Sequence, residues 1–425
     1  MVHLYVFNPA RKLRLLSMLF YRGSKRILGS VDTAAVVSTQ SRKPALSAIF
    51  RTALPTPHPL ERETARDADY YAEANQGFCV FQVENTLFKV HRVLLSREPS
   101  AFSDMFSLPQ PNDDASGSDH VPIFLSDSVQ QFRDFLWALY APPCDLFLEG
   151  QLDRLLNIAE LANKYCFTSF ESWITERIYT LAQDLSGPLC SASPELCRRI
   201  LDVSILCNHK KLQDLVTQHL ISRILWYNTQ PDAIVDAARQ HGLRTLLGVS
   251  FYRQLVNMQH LSRKSSDGKN SGTTAKTKIN TTRTEFPPSM DAEARVRFLA
   301  AHHSLLSLWE HVRSTPPSIA SVPDTQCTSH AQCELAWQHL WFAAGSLDEA
   351  LRGGSADILG RLKAMMLGLR KAMSDAPFMT MGCKMAALEA ITEVRDEIIA
   401  GLAGHFEEAS WVSFCAFLFC GDDVF

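Results

Sequence analysis

The sequence predicts an α+β domain, a short sheet with clustered helices, followed by mostly α-helical regions. Three observations predict it. Two compact apolar runs, Phe78-Cys79-Val80-Phe81-Gln82-Val83 and Leu87-Phe88-Lys89-Val90, flank a polar Glu84-Asn85 turn. Runs of that length around a tight turn read as paired strands. After His91-Arg92 the apolar spacing changes from two to between three and four, the period of a helix. Beyond residue 183 only helical stripes recur.

Residues 1–68 are expected to form a largely disordered basic arm. Within the first 60 residues Arg11, Lys12, Arg14, Arg22, Lys25, Arg26, Arg42, Lys43 and Arg51 face a single acid, Asp32, and Pro55, Pro57 and Pro59 act as punctuation. An acid-poor, Arg-rich start also fits a mitochondrial transit segment, the alternative to a solvated arm. From Phe78 the strand pair leads into Val93-Leu94-Leu95, and Pro99 divides the helical stretch in two. The run 109–119 is a loop by its Pro, Asn, Asp, Ser and Gly content. Val121-Pro122-Ile123-Phe124-Leu125 reads as a third strand, placed at an edge by its proline. Asp127 or Ser128 caps the next helix, whose Phe132, Phe135, Leu136 and Leu139 share a face. Two further amphipathic helices, striped by Leu152 to Ala162 and by Phe170 to Ile178, complete a domain at 70–182.

Stripes through 183–260 predict a helical extension. Residues 261–289, rich in Ser, Thr, Lys, Asn and Gly, cannot bury enough surface to fold and predict a flexible linker. Four helical stripes over 290–406 predict a C-terminal bundle. An apolar tail occupies 407–425. The whole chain has 425 residues, room for two or three domains, and a formal net charge of −3, which points to no nucleic-acid or membrane partner. Its 11 cysteines are odd in number and scattered, as in a reduced cytoplasmic or nuclear protein.

Motifs of catalysis are sparse. The sequence contains no Gly-rich phosphate loop, no Gly-x-Ser-x-Gly elbow and no His-Glu-x-x-His pair. The metal-like set is Cys327-Thr-Ser-His330-Ala-Gln-Cys333, with Cys383 and His302 further along. Tetrahedral zinc takes four ligands, usually in close pairs. Here the five-residue gap is loose, and Thr380 stands where a Cys-x-x-Cys pair would want a thiolate. Cys327, Cys333 and Cys383 therefore read first as core thiols, His302 as a satisfied core histidine, and no cofactor is expected. His91, between a strand and a helix with no activating neighbour, reads as a residue that hydrogen-bonds backbone.

The run Val80 to Arg92, with Phe88-Lys-Val90-His91 leading a Leu94-Leu95-Ser helix, resembles the BTB/POZ signature. Phe102-Ser-Asp-Met105-Phe106, Phe132 to Tyr140 and Ile158 to Tyr165 match later parts of that pattern in order, as in uncharacterised fungal BTB-domain proteins. One departure stands at Asn75-Gln76-Gly77, where many members carry an Asp linked to dimerisation. The resemblance implies a non-enzymatic protein-binding module that forms homo- or hetero-oligomers and recruits partners, and places Phe102, Met105, Phe106 and Tyr140 in regions of partner contact. It also implies, as an alternative, a substrate adaptor of a cullin-3 ubiquitin ligase. A transcription-related regulator is a further alternative, disfavoured by the absence of paired Cys/His fingers, and a metal-dependent enzyme in the C-terminal bundle is another.

Overall fold

The structure, a computed structural model of the chain, describes residues 64–73, 76–108, 117–141, 152–184, 187–227, 229–267, 286–288, 290–319, 327, 329–347, 354–374 and 379–407. The arm up to 63, most of the linker and the tail from 408 lie outside the described residues. Two compact units part between Thr229 and Gln230.

The first unit holds a four-stranded sheet in the order β1-β3-β2-β4. β2 (Phe78–Val83) and β3 (Thr86–His91) are antiparallel, in register from Phe78 opposite His91 to Val83 opposite Thr86. Glu84 takes a φ of +51°, the left-handed region that lets two residues close a hairpin without splaying its strands. β4 (Ile123–Leu125) runs parallel to β2 at one edge, directly after Pro122, as a residue without an N–H requires. The other edge is β1 (Ala65–Tyr71), parallel to β3 with a register break between Arg66 and Tyr71. This strand lies partly within the stretch expected to be disordered. Its Asp67 is buried, accepts the N–H groups of Asp69 and Tyr70 at 3.0 Å, and receives Arg133 Nη2 at 2.7 Å.

Among the described residues, eight helices of this unit cover the sheet or follow it: α1 (Arg92–Leu95), α2 (Ala101–Ser107), α3 (Val129–Tyr140), α4 (Leu152–Lys164), α5 (Thr168–Gln183), α6 (Pro188–Ser191), α7 (Pro194–Leu206) and α8 (Lys210–Trp226). Ser100 and Ser128 cap α2 and α3 with reciprocal capping boxes, closed by Ser103 and Gln131. Asp127, the other cap candidate, instead receives Lys164 Nζ at 2.5 Å and the Tyr165 hydroxyl. The core is aromatic. Phe81, Phe88, Phe102, Phe132, Phe135, Tyr165 and Phe167 are fully buried or nearly so, and Phe88 meets Phe132 edge-on at 5.1 Å.

The second unit is helical: α9 (Asp232–Gln240), α10 (Arg244–Asp267), α11 (Ala292–Ser314), α12 (His330–Gly345), α13 (Ile358–Ser374), α14 (Met381–Gly401) and a 3-10 turn, Leu402–Phe406. Within the 183–260 stretch, α7 and α8 fall in the first unit and α9 and α10 in the second. α10 also runs into the stretch expected to be linker, to Asp267. Phe251, Phe298 and Phe406 pack within 5.6–5.9 Å of one another. Trp337 and Trp341, fully buried, donate to the carbonyls of Pro317 and Val312 at 2.7 and 3.0 Å, so burial leaves their indole N–H groups satisfied. Among the described residues no helix is long and apolar enough to cross a membrane.

Candidate interaction surface and thiol cluster

In the first unit, a corner forms where β3 ends, α1 starts and α3 finishes. The Tyr140 hydroxyl accepts the His91 backbone N–H at 3.0 Å and lies 2.9 Å from His91 Nδ1, to which it is placed to donate. His91 thus contacts a side chain with its ring, where a backbone partner was expected. Burial of Tyr140 raises its pKa. The His91 ring packs 4.1 Å from Phe78, and Arg92 donates to the Phe78 carbonyl while its guanidinium lies 5.4 Å from the Phe106 ring centre. In this linked set Tyr140 is 37% exposed and Val93, next to Arg92, 71%; Leu108, at the C-terminal end of α2, is 59% exposed.

Of the residues the resemblance marks for partner contact, Phe102 is fully buried, 4.5 Å from the Tyr165 ring and 5.4 Å from that of Phe81. It belongs to the core and offers no surface. Met105 and Phe106 are half-buried and Tyr140 is open. Among the signature residues Phe88, Val90 and Leu95 are core, Leu94 is half-buried and His91 exposed. Val93 and Leu108 were not marked by the sequence. A valine beside Leu94 and Leu95 reads as core until the direction of so short a helix is known.

In the second unit, three thiols meet. Cys327 Sγ lies 3.8 Å from Cys333 Sγ and 3.6 Å from Cys383 Sγ, and all three sulfurs fall within 4.8 Å of one another. His330 Nδ1 lies 3.5 Å from Cys383 Sγ. Cys333 and Cys383 are buried, Cys327 and His330 half-buried. Local structure explains the convergence. His330 opens α12, and Cys333 follows one turn later. Thr380 caps α14, accepting the Cys383 N–H with its hydroxyl at 3.4 Å, which is why no thiol occupies that position. Helix N-termini favour thiolates. The backbone N–H of Ser329, with neighbouring thiols assisting, draws the Cys327 pKa down to about 7, whereas burial pushes Cys383 up to about 11.

His302 is not part of this group. Its Nε2 lies 2.8 Å from Ser355 Oγ, and burial lowers its pKa. The histidine that joins the thiols is His330, whose place between Cys327 and Cys333 in a Cys-x-x-His-x-x-Cys spacing was the available signal.

An open depression of about 420 Å³ is lined by Asp153, Ser193, Glu195, Leu196, Arg198 and Arg199. Its Arg199 is held by Glu160 at 2.9 Å and Asn157 at 2.6 Å, bonds that tie α7 to α4. No family model, no curated protein and no solved structure matches the chain.

Proposed function

We propose that this chain is a non-enzymatic protein–protein interaction protein whose first unit is a BTB/POZ-type module that self-associates and recruits partners. Support comes from the element order after β1: the β2–β3 hairpin, two short helices, β4 beside β2, then three packed helices. That is the order the resemblance implies. The observation that carries the interaction reading is the corner itself. Val93 and Tyr140 keep large apolar or aromatic surface in water there, beside a core whose aromatic rings are buried. Single exposed apolar residues are ordinary, and it is the joining of these two to one bonded corner that supports the contact reading.

Light scattering on the full chain at tens of micromolar tests this. Self-association gives twice the chain mass of 47.6 kDa. A strict monomer over that range would sink the self-association claim.

A further inference from the structure

We propose that Cys327, His330, Cys333 and Cys383 bind one zinc ion, which pins the segment before α12 and the first turns of α12 and α14 to one another. Three features of the group carry this. The first is spacing. Zinc–sulfur bonds of about 2.3 Å in a tetrahedron set neighbouring sulfurs about 3.8 Å apart, and a zinc–nitrogen bond of about 2.0 Å sets nitrogen about 3.5 Å from sulfur. The separations are 3.8 and 3.6 Å from Cys327 to the other two sulfurs and 3.5 Å from His330 Nδ1 to Cys383; the three sulfurs form the close set, and His330, outside it, is the neighbouring imidazole that would turn in as fourth ligand.

The second is orientation. A buried cysteine that merely fills a core turns its sulfur toward carbon, as a small hydrophobe does. These three turn their sulfurs toward one another, and the sulfur of Cys383 also lies 3.5 Å from an imidazole nitrogen, that of His330. A disulfide needs sulfurs about 2.0 Å apart and would leave the third thiol unmatched.

The third is the chemistry and placement of the donor set. Three thiolates and an imidazole form a soft, closed site that suits structural zinc, with no position left open for substrate. Cys327 and Cys383 are 56 residues apart in sequence, so one ion would close a long loop. The loss of such a ligand would loosen the N-terminal ends of both helices together.

Elemental analysis of the full chain, purified under reducing conditions without added metal or chelator, tests the site. About one zinc per chain is expected. Cys383→Ser should lose the metal, while His302→Ala should retain it. Should Cys383→Ser fail to fold, the wild-type chain can be stripped and titrated with cobalt(II). Thiolate charge-transfer bands and the visible bands of a tetrahedral ion should then saturate at about one equivalent. Three results would overturn the proposal: a folded wild-type chain that neither carries zinc nor takes up cobalt, zinc retained in folded Cys383→Ser, or a disulfide among the three cysteines.

Discussion

Gly248 sits in α10, where a Cβ would come within 2.4 Å of the Ala403 backbone nitrogen and 2.6 Å of its Cα. Alanine normally gains about 1 kcal/mol over glycine inside a helix. Overpacking against backbone that cannot turn aside costs about 1–3 kcal/mol. The clash therefore wins, and Gly248→Ala should lower stability by about 1 kcal/mol or more in denaturant unfolding. A gain would contradict the close approach of α10 to the 3-10 turn. Other single residues were legible to different degrees. The aromatic core positions follow from periodicity. His330 was visible in its spacing, but its reach to Cys383 depends on two helix starts meeting in space. Phe102 shows the reverse: marked for a surface, it is fully buried.

At the scale of elements, α3 and α4 are joined through Asp134, a buried carboxylate of α3. It accepts Asn157 Nδ2 at 2.6 Å, Gln130 Nε2 at 3.0 Å and Arg154 Nε at 3.1 Å. Asp134→Ala strands these donors and should cost about 2 kcal/mol, below the range for breaking a fully buried pair because Arg154 is partly solvated. Arg154→Ala leaves Asp134 two partners and should cost less in the same unfolding assay. Equal losses would contradict that ranking. No periodicity announces a buried carboxylate, so the sequence stripe for α3 passed over Asp134. β1 was missed for a related reason. Its Ala-Arg-Asp-Ala-Asp-Tyr-Tyr composition has poor strand propensity. Pairing with β3 and the Asp67–Arg133 bond hold it, and both are tertiary. The hairpin, β4 and the capped helices were legible because turn chemistry, a proline and serine caps are local signals.

Across the whole molecule, burial lowers the pKa of His219, His302 and His405 below the ordinary 6.5. The folded chain therefore favours neutral imidazoles, and the unfolded chain binds more protons just below that value. Stability rises with pH wherever the unfolded state holds more protons. It should be fully present above roughly pH 7 and fall as pH drops through 6.5 toward the folded values. Melting midpoints measured from pH 7.5 to 5.5 should decline at the acid end, and a flat profile would contradict the neutral buried histidines. The unit boundary was not legible. The stripes through 183–260 break at Asn228-Thr229-Gln230-Pro231-Asp232, but such a turn equally joins two helices of one unit, and only packing assigns α7 and α8 to one unit and α9 and α10 to the other.

Self-association through the exposed corner of the first unit is tested most directly by the mass of the full chain in solution, wild type beside Val93→Asp, at the same tens of micromolar. Val93 is largely solvated in the single chain, so the substitution should leave the fold intact while a charge in the contact weakens association by about tenfold or more. A dimeric wild type with a monomeric variant is the predicted result. A wild type that stays monomeric, or a dimer indifferent to Val93→Asp, would contradict it.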